Sequence, residues 1–217
     1  MIAMDHLGLF IVSGVVLNLT PGPDVLFIVS QALRGGVRPG IVAALGIAAG
    51  CFVHVAAAGL GVGALLAAST TAFHALKWLG TAYLMWVGIQ LIGARRSSGA
   101  PLVSVPEMSA VSWDWRAVFW KGFATNVLNP KVALFFLAFV PQFIPPDAPD
   151  PAMMFVVLGA IFNLNGLLVC LGWALLAAWL SGRVAQVQRA MHWLDRVAGV
   201  LFVGFGLKLA LSDAPVR

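Results

Sequence analysis

Polar positions are sparse along this chain, and long apolar runs lie between them. A helix needs about 20 apolar residues to cross the hydrocarbon core of a bilayer. Six runs meet that length: His6–Leu33, Gly40–Ala68, Phe73–Ala94, Val118–Ile144, Ala152–Leu180 and Trp193–Leu211. Several are longer than the minimum, so tilt or an internal break is expected. The pattern predicts an all-α membrane protein with six transmembrane helices. No room remains for a separate soluble domain, so residues 1–217 are read as a single membrane domain.

Two of the runs carry their break in the open. The first holds Asn18-Leu19-Thr20-Pro21-Gly22-Pro23-Asp24, and the fourth holds Asn126-Val127-Leu128-Asn129-Pro130-Lys131. Proline removes a backbone donor and its ring clashes with the preceding turn, so neither stretch fits an unbroken helix. The two interruptions fall in register: Gly14 aligns with Gly122, Asn18 with Asn126, and Pro23 with Lys131. Gly88 and Leu91 align more loosely with Gly206 and Leu209. Residues 6–94 and 118–211 therefore read as two three-helix repeats, joined by a loop over residues 95–117. An odd number of crossings separates their starts, which makes them inverted in topology. Paired Gly/Pro breaks in matching segments point to a transporter's substrate site.

Composition supports the membrane reading. The chain is 61% hydrophobic and 10% charged, far from the roughly 25% charged of a soluble domain. A net charge of +5 raises the question of nucleic acid, but the basic residues form no patch or arm. They mark alternate loops instead: Arg34 and Arg38; Arg95, Arg96 and Arg116; Arg183, Arg189 and Arg196. The fourth-to-fifth loop carries Asp147 and Asp150. Basic loops stay cytoplasmic, which puts both termini on the outer, periplasmic side. The N-terminus has no basic region of a secretory signal, so the first segment is expected to remain in the mature protein.

Other features read structurally. Trp113, Trp115 and Trp120 suit an interfacial aromatic belt, and Lys77 and Lys208 suit snorkelling to headgroups. Gly46-x-x-x-Gly50 suits close helix packing. The Gly59-Leu60-Gly61-Val62-Gly63 cluster lacks the strand and acidic partner of a dinucleotide loop. Cys51 and Cys170 stand in no metal or redox spacing and read as packed thiols. His54 reads as a packing histidine, and at most one of Asn163 and Asn165 can face a cavity. No local spacing suggests catalysis, so no enzyme activity, cofactor or metal site is expected.

The chemistry gathers at the breaks. Thr20 before Pro21, and Asn129 before Pro130, each resemble an N-cap followed by proline at the first helical position. Each break would then open a half-helix whose positive end favours an anion, with Lys131 adding a full charge. Asp24 supplies the opposite sign, and a mid-membrane carboxylate is expected to face a cavity or a partner. The candidate substrate-binding residues are Asn18, Thr20, Pro21, Gly22, Pro23, Asp24, Asn126, Asn129, Pro130 and Lys131. A small zwitterion would fit between them, with its ammonium toward Asp24 and its carboxylate toward Lys131. Asp24 is also placed to carry a proton. The opposing structural reading makes the prolines simple kinks and the Asp24–Lys131 pair a lock.

Pro21-Gly22-Pro23-Asp24, the spacing through Arg34-Gly35-Gly36 to Gly46, and Tyr83-Leu84-x-x-x-Gly88 resemble the LysE/RhtB amino-acid exporter family. Gly122…Asn129-Pro130-Lys131 and Pro141-Gln142-Phe143 extend that resemblance over nearly the whole chain. It implies efflux of an amino acid or close derivative across a bacterial inner membrane, driven by the proton gradient. It implies that the Pro-Gly-Pro-Asp and Asn-Pro-Lys positions form the permeation core. It does not separate lysine, threonine, homoserine and leucine as substrates. A metal or other cation exporter on a related fold is the alternative; a thiol-redox enzyme and a membrane scaffold are the more distant ones. The partners implied are a small zwitterionic amino acid, a proton and membrane lipid, with self-association into a homo-oligomer left open.

Overall fold

A computed structural model describes residues 4–68, 113–145 and 148–180, with scattered positions between 78 and 93 and between 193 and 211. Among the described residues every regular element is helical. They are α1 (Met4–Leu19), α2 (Pro23–Gly35), α3 (Val37–Ala68), α4 (Trp115–Val127), α5 (Pro130–Leu134) and α6 (Pro151–Trp179). Between α5 and α6 lie a π-helical turn, Phe135–Phe139, and a 3₁₀ turn, Val140–Phe143. By length and composition, Val37–Gly61 and Pro151–Trp179 can each cross a membrane unaided. The third and sixth apolar runs fall largely outside the described residues. So do Lys77, Arg95, Arg96, Asp147, Arg183, Arg189, Lys208 and the Tyr83 stretch.

Both breaks are present. α1 and α2 meet at a 53° bend, and α4 and the stretch Pro130–Phe143 meet at 45°. Pro23 occupies the first turn of α2 and Pro130 that of α5, where the missing N–H would have had no helical acceptor. The π turn has its own cause. Pro141 has no N–H to give and crowds the preceding turn, and a widened turn followed by a 3₁₀ turn accommodates it.

Glycines bring α3 and α4 into contact. A methyl carbon at Gly46 would stand 2.2 Å from the Phe119 carbonyl oxygen, and one at Gly50 2.6 Å from that of Phe123. From the other side, one at Gly122 would stand 2.7 Å from the Ala43 carbonyl oxygen. Backbone-to-backbone approach of this kind needs small residues on both helices. The Gly46/Gly50 pair thus packs helices, as its spacing predicts.

The apolar interior falls into two clusters stacked along the helix axes. One is rich in phenylalanine and joins Phe10, Leu17 and Val55 to Phe135, Phe136, Phe139, Phe143, Phe155 and Phe162. The other is aliphatic and joins Val25, Ile28, Ala32, Ala43, Ala44 and Ile47 to Cys170, Trp173 and Ala174. Trp113 closes the aliphatic end by packing on Gly35 and stacks with Trp115 at 6.1 Å. Arg34, Arg38 and Arg116 are exposed near the same turns, and this tryptophan-and-arginine girdle fits a membrane–water boundary. Both helix breaks lie where the two clusters meet.

Candidate functional site at the paired helix breaks

A broken helix leaves carbonyls without donors, and in an apolar interior each must find another partner. Pro21 takes away the donor that Leu17 O would have met four residues on. Lys131 reaches across from α5 and its Nζ donates to Leu17 O and to Thr20 O, both at 3.0 Å. Pro130 does the same to Asn126 O. That oxygen accepts from the Asn129 N–H at 2.9 Å and pairs with His54 Nε2 at 2.9 Å. A carbonyl can only accept, so His54 carries a proton on Nε2. Its ring stacks parallel to Phe136, 6° from coplanar.

Each break is therefore sealed by a side chain from another element. Gly22 makes the first seal sterically feasible, since a methyl there would sit 3.1 Å from the Lys131 ammonium. Its φ of −138° is open to any residue, so the constraint at Gly22 is one of space.

Asp24 lies in the first turn of α2, where a negative charge meets the positive end of the helix. It is 7% exposed. Asn126 Nδ2 and Asn129 Nδ2 each donate to Asp24 Oδ2 at 2.9 Å. Lys131 is the foremost of the charges acting on it. Asn129 serves twice, because its Oδ1 also accepts from the Lys131 N–H at 3.0 Å and so caps α5. That acceptor role fixes which way the Asn129 amide points.

These groups border a cavity of about 20 Å³ lined by Asn18, Asp24, Asn126, Lys131, Asn163 and apolar side chains. Such a space holds about one water. Three buried polar atoms on its lining residues have no hydrogen-bond partner among the described residues: Asn18 Nδ2, Asp24 Oδ1 and Asn126 Oδ1. Unpaired buried polar atoms are uncommon and call for an explanation.

Of the ten residues expected at the site, four line the cavity: Asn18, Asp24, Asn126 and Lys131. Asn129 stands behind Asp24 and holds it. Thr20, Pro21, Gly22, Pro23 and Pro130 are not among the lining residues. Thr20 is a correction in detail as well. Its hydroxyl donates back to Val16 O at 2.7 Å, so it ends α1, and Gly22 is the residue at the N-cap of α2. Thr20-Pro21 has the residue types of a cap, but the second proline, Pro23, is the first helical position. Lys131 lines the cavity while its ammonium also meets two backbone carbonyls.

Other lining residues carry no site assignment in the sequence. Cys51, Cys170, Phe162 and Gly166 border the cavity, and their apolar character carried no signal. Asn163 is the cavity-facing one of its pair, and its amide donates to Ala48 O at 3.1 Å. His54 could have been found by asking which donor meets the carbonyl that Pro130 strands.

Comparison with known proteins places the chain. The family model for LysE type translocators matches residues 15–213. An uncharacterized membrane protein of Vibrio cholerae is 35% identical over 205 residues, covering 94% of this chain and 96% of its own. A homoserine/homoserine lactone efflux protein of Salmonella typhimurium is 31% identical over 205 residues, covering 93% and 94%. A leucine efflux protein of Salmonella typhi is 26% identical over 204 residues, covering 93% and 92%. No solved structure matches. The chain belongs to the LysE type translocator family.

Proposed function

We propose that this chain is a secondary active exporter of amino acids or close derivatives across the bacterial inner membrane. The substrate is a neutral amino acid, a homoserine- or threonine-like one, or lysine. The observation that carries this reading is the meeting of Asp24, from one break, with Asn126, Asn129 and Lys131, from the other, beside one small cavity. A buried carboxylate between broken membrane helices marks a substrate or proton pathway. The efflux proteins among the relatives, for homoserine or its lactone and for leucine, supply the substrate class.

The proposed coupling to protons runs through Asp24 Oδ1, which has no hydrogen-bond partner among the described residues. A proton and a substrate ammonium compete for that one oxygen. Arrival of the ammonium releases the proton, and departure of the ammonium on the far side lets a proton return. The charge of the site is then the same in both loaded forms, which keeps the desolvation cost low.

The architecture we propose is six spans in two inverted repeats, with both termini periplasmic. Reciprocal packing supports it. Asn18 lies against Gly166 of α6, while its counterpart Asn126 lies against Gly50 of α3. Gly14 faces Phe162 of α6, while its counterpart Gly122 faces Ala43 of α3. In each pairing the first break packs on the fifth run and the second break packs on the second run, as a two-fold axis in the membrane plane requires.

The test is counterflow in proteoliposomes with a panel of amino acids and metal cations under an imposed pH gradient. Amino-acid exchange that accelerates with the gradient supports the proposal. Exchange of metal cations alone would replace it with the cation-exporter reading.

A further inference from the structure

One buried polar group lies outside the cavity and its hydrogen bonds. Trp173 is 4% exposed, and its Nε1 has no hydrogen-bond partner among the described residues. An indole nitrogen can only donate, and burying it without an acceptor costs stability. Phenylalanine would fill much of the same space without that cost. A donor kept in such a place calls for an explanation.

Its position supplies one. Asn163, Gly166 and Cys170 of α6 border the cavity. Spacings of three and four residues carry the same helix face on to Trp173 and Ala177, both in the aliphatic cluster. There α2, α3 and α6 meet through small groups. A methyl carbon at Gly40 would stand 2.8 Å from that of Ala174 and 3.0 Å from that of Ala32. Ala43 and Ala44 are buried in the same cluster, and among its described buried members Trp173 is the only aromatic one. The other cluster is filled instead by phenylalanine rings. The alanine-lined side leads to the exposed Arg34, Arg38 and Arg116, the cytoplasmic end in the proposed architecture. Arginines at that mouth draw in a carboxylate.

We propose that substrate enters from the arginine-bearing end along this face of α6, with Trp173 as the inner gate. Its indole N–H donates to a carboxyl oxygen of the arriving substrate, while the ammonium leads toward Asp24. Trp173 lies one turn beyond the cavity-lining Cys170, about 4.5 Å along the axis at the usual helical rise. With no substrate present the ring fills the route, and the acceptor its N–H lacks is the one the cargo brings. This inference rests on the export reading above and deepens it.

Trp173→Phe tests this, because it keeps a ring and removes the donor. Exchange of leucine, threonine and lysine is measured with the intact protein in inside-out and right-side-out membrane vesicles, alongside thermal unfolding in detergent. In inside-out vesicles, which present the cytoplasmic face, the half-saturating concentration is expected to rise about tenfold, the worth of one charge-assisted hydrogen bond. In right-side-out vesicles it should stay within about twofold of native, as should the maximal rate in both. The unfolding midpoint should hold or rise, since the variant loses no hydrogen bond. Native half-saturation on the cytoplasmic face would overturn the inference and leave the export reading standing. An equal rise on both faces would overturn it too, by moving the N–H to the shared central site. So would a clearly lowered midpoint, which would make the indole a structural group. If the native protein exchanges no amino acid, the export reading falls and this inference falls with it.

Discussion

The Lys131 ammonium lies 3.0 Å from the Leu17 carbonyl oxygen, the acceptor that Pro21 leaves without its helical donor. A charge that reads as a substrate ligand in the sequence thus closes the end of a neighbouring helix. Lysine at a helix C-terminus is favourable in its own right. Replacing Lys131 with Met strands two carbonyls at about 1–3 kcal/mol each. Thermal unfolding in detergent should show a clearly lowered midpoint, and Lys131→Arg should recover part of it. An unchanged midpoint for Lys131→Met would mean the ammonium is not holding the break.

Gly22→Ala tests the same contact from the opposite side. The added methyl would sit 3.1 Å from Nζ, so the ammonium has to shift. A loss of about 1 kcal/mol is expected in the native background, within the usual range for single changes. In a Lys131→Met background the same change should cost nothing further, as coupled neighbours behave in a double-mutant cycle. Additive losses would place the cost of Gly22→Ala elsewhere.

Asp24→Asn keeps the shape of the side chain and the acceptor for Asn126 and Asn129, but removes the charge. Export of amino acids should drop roughly ten- to hundredfold, the worth of one charged hydrogen bond, while size-exclusion elution and yield stay as in the native protein. Native-like export rates would take the aspartate out of the transport cycle.

The depth of the apolar pattern made the helices and their breaks legible: two prolines around Gly22, and one before Lys131, admit no continuous helix. Asp24 was legible for the same reason, since a carboxylate inside such a run has few structural uses. What each polar group binds was not legible. The chain shows that Pro21 and Pro130 free carbonyls, but not that Lys131 and His54, 114 and 72 residues away from their acceptors Leu17 and Asn126 in order, are the groups that meet them. Those pairings come from tertiary packing of α3, α5 and α1. The same holds for the phenylalanine cluster, whose members look like ordinary lipid-facing residues until the π turn before Pro141 gathers them.

His54 offers a milder test. His54→Phe preserves a ring against Phe136 but removes the donor to Asn126 O, which keeps its bond from the Asn129 N–H. A stability loss of about 1 kcal/mol is expected, visible as a small fall in the unfolding midpoint. His54→Gln, which regains a donor, should lie between the two. Equal midpoints for all three would deny the hydrogen bond any weight.

The Gly50 contact sets the spacing of α3 and α4. Gly50→Val drives a side chain into the Phe123 carbonyl, and overpacking of this kind costs about 1–3 kcal/mol. Asn126 also borders Gly50, so export should fall further than stability alone explains. A variant as stable and active as the native protein would show that the helices have slack to separate.

A cavity of about 20 Å³, room for about one water, is too small for an amino acid, so the proposed substrate requires it to widen. Its lining draws on both the aromatic and the aliphatic cluster, so widening it would part the two and wet apolar surface on each side. The cavity also lies beside the two places where the ladders of α1 and α4 run out.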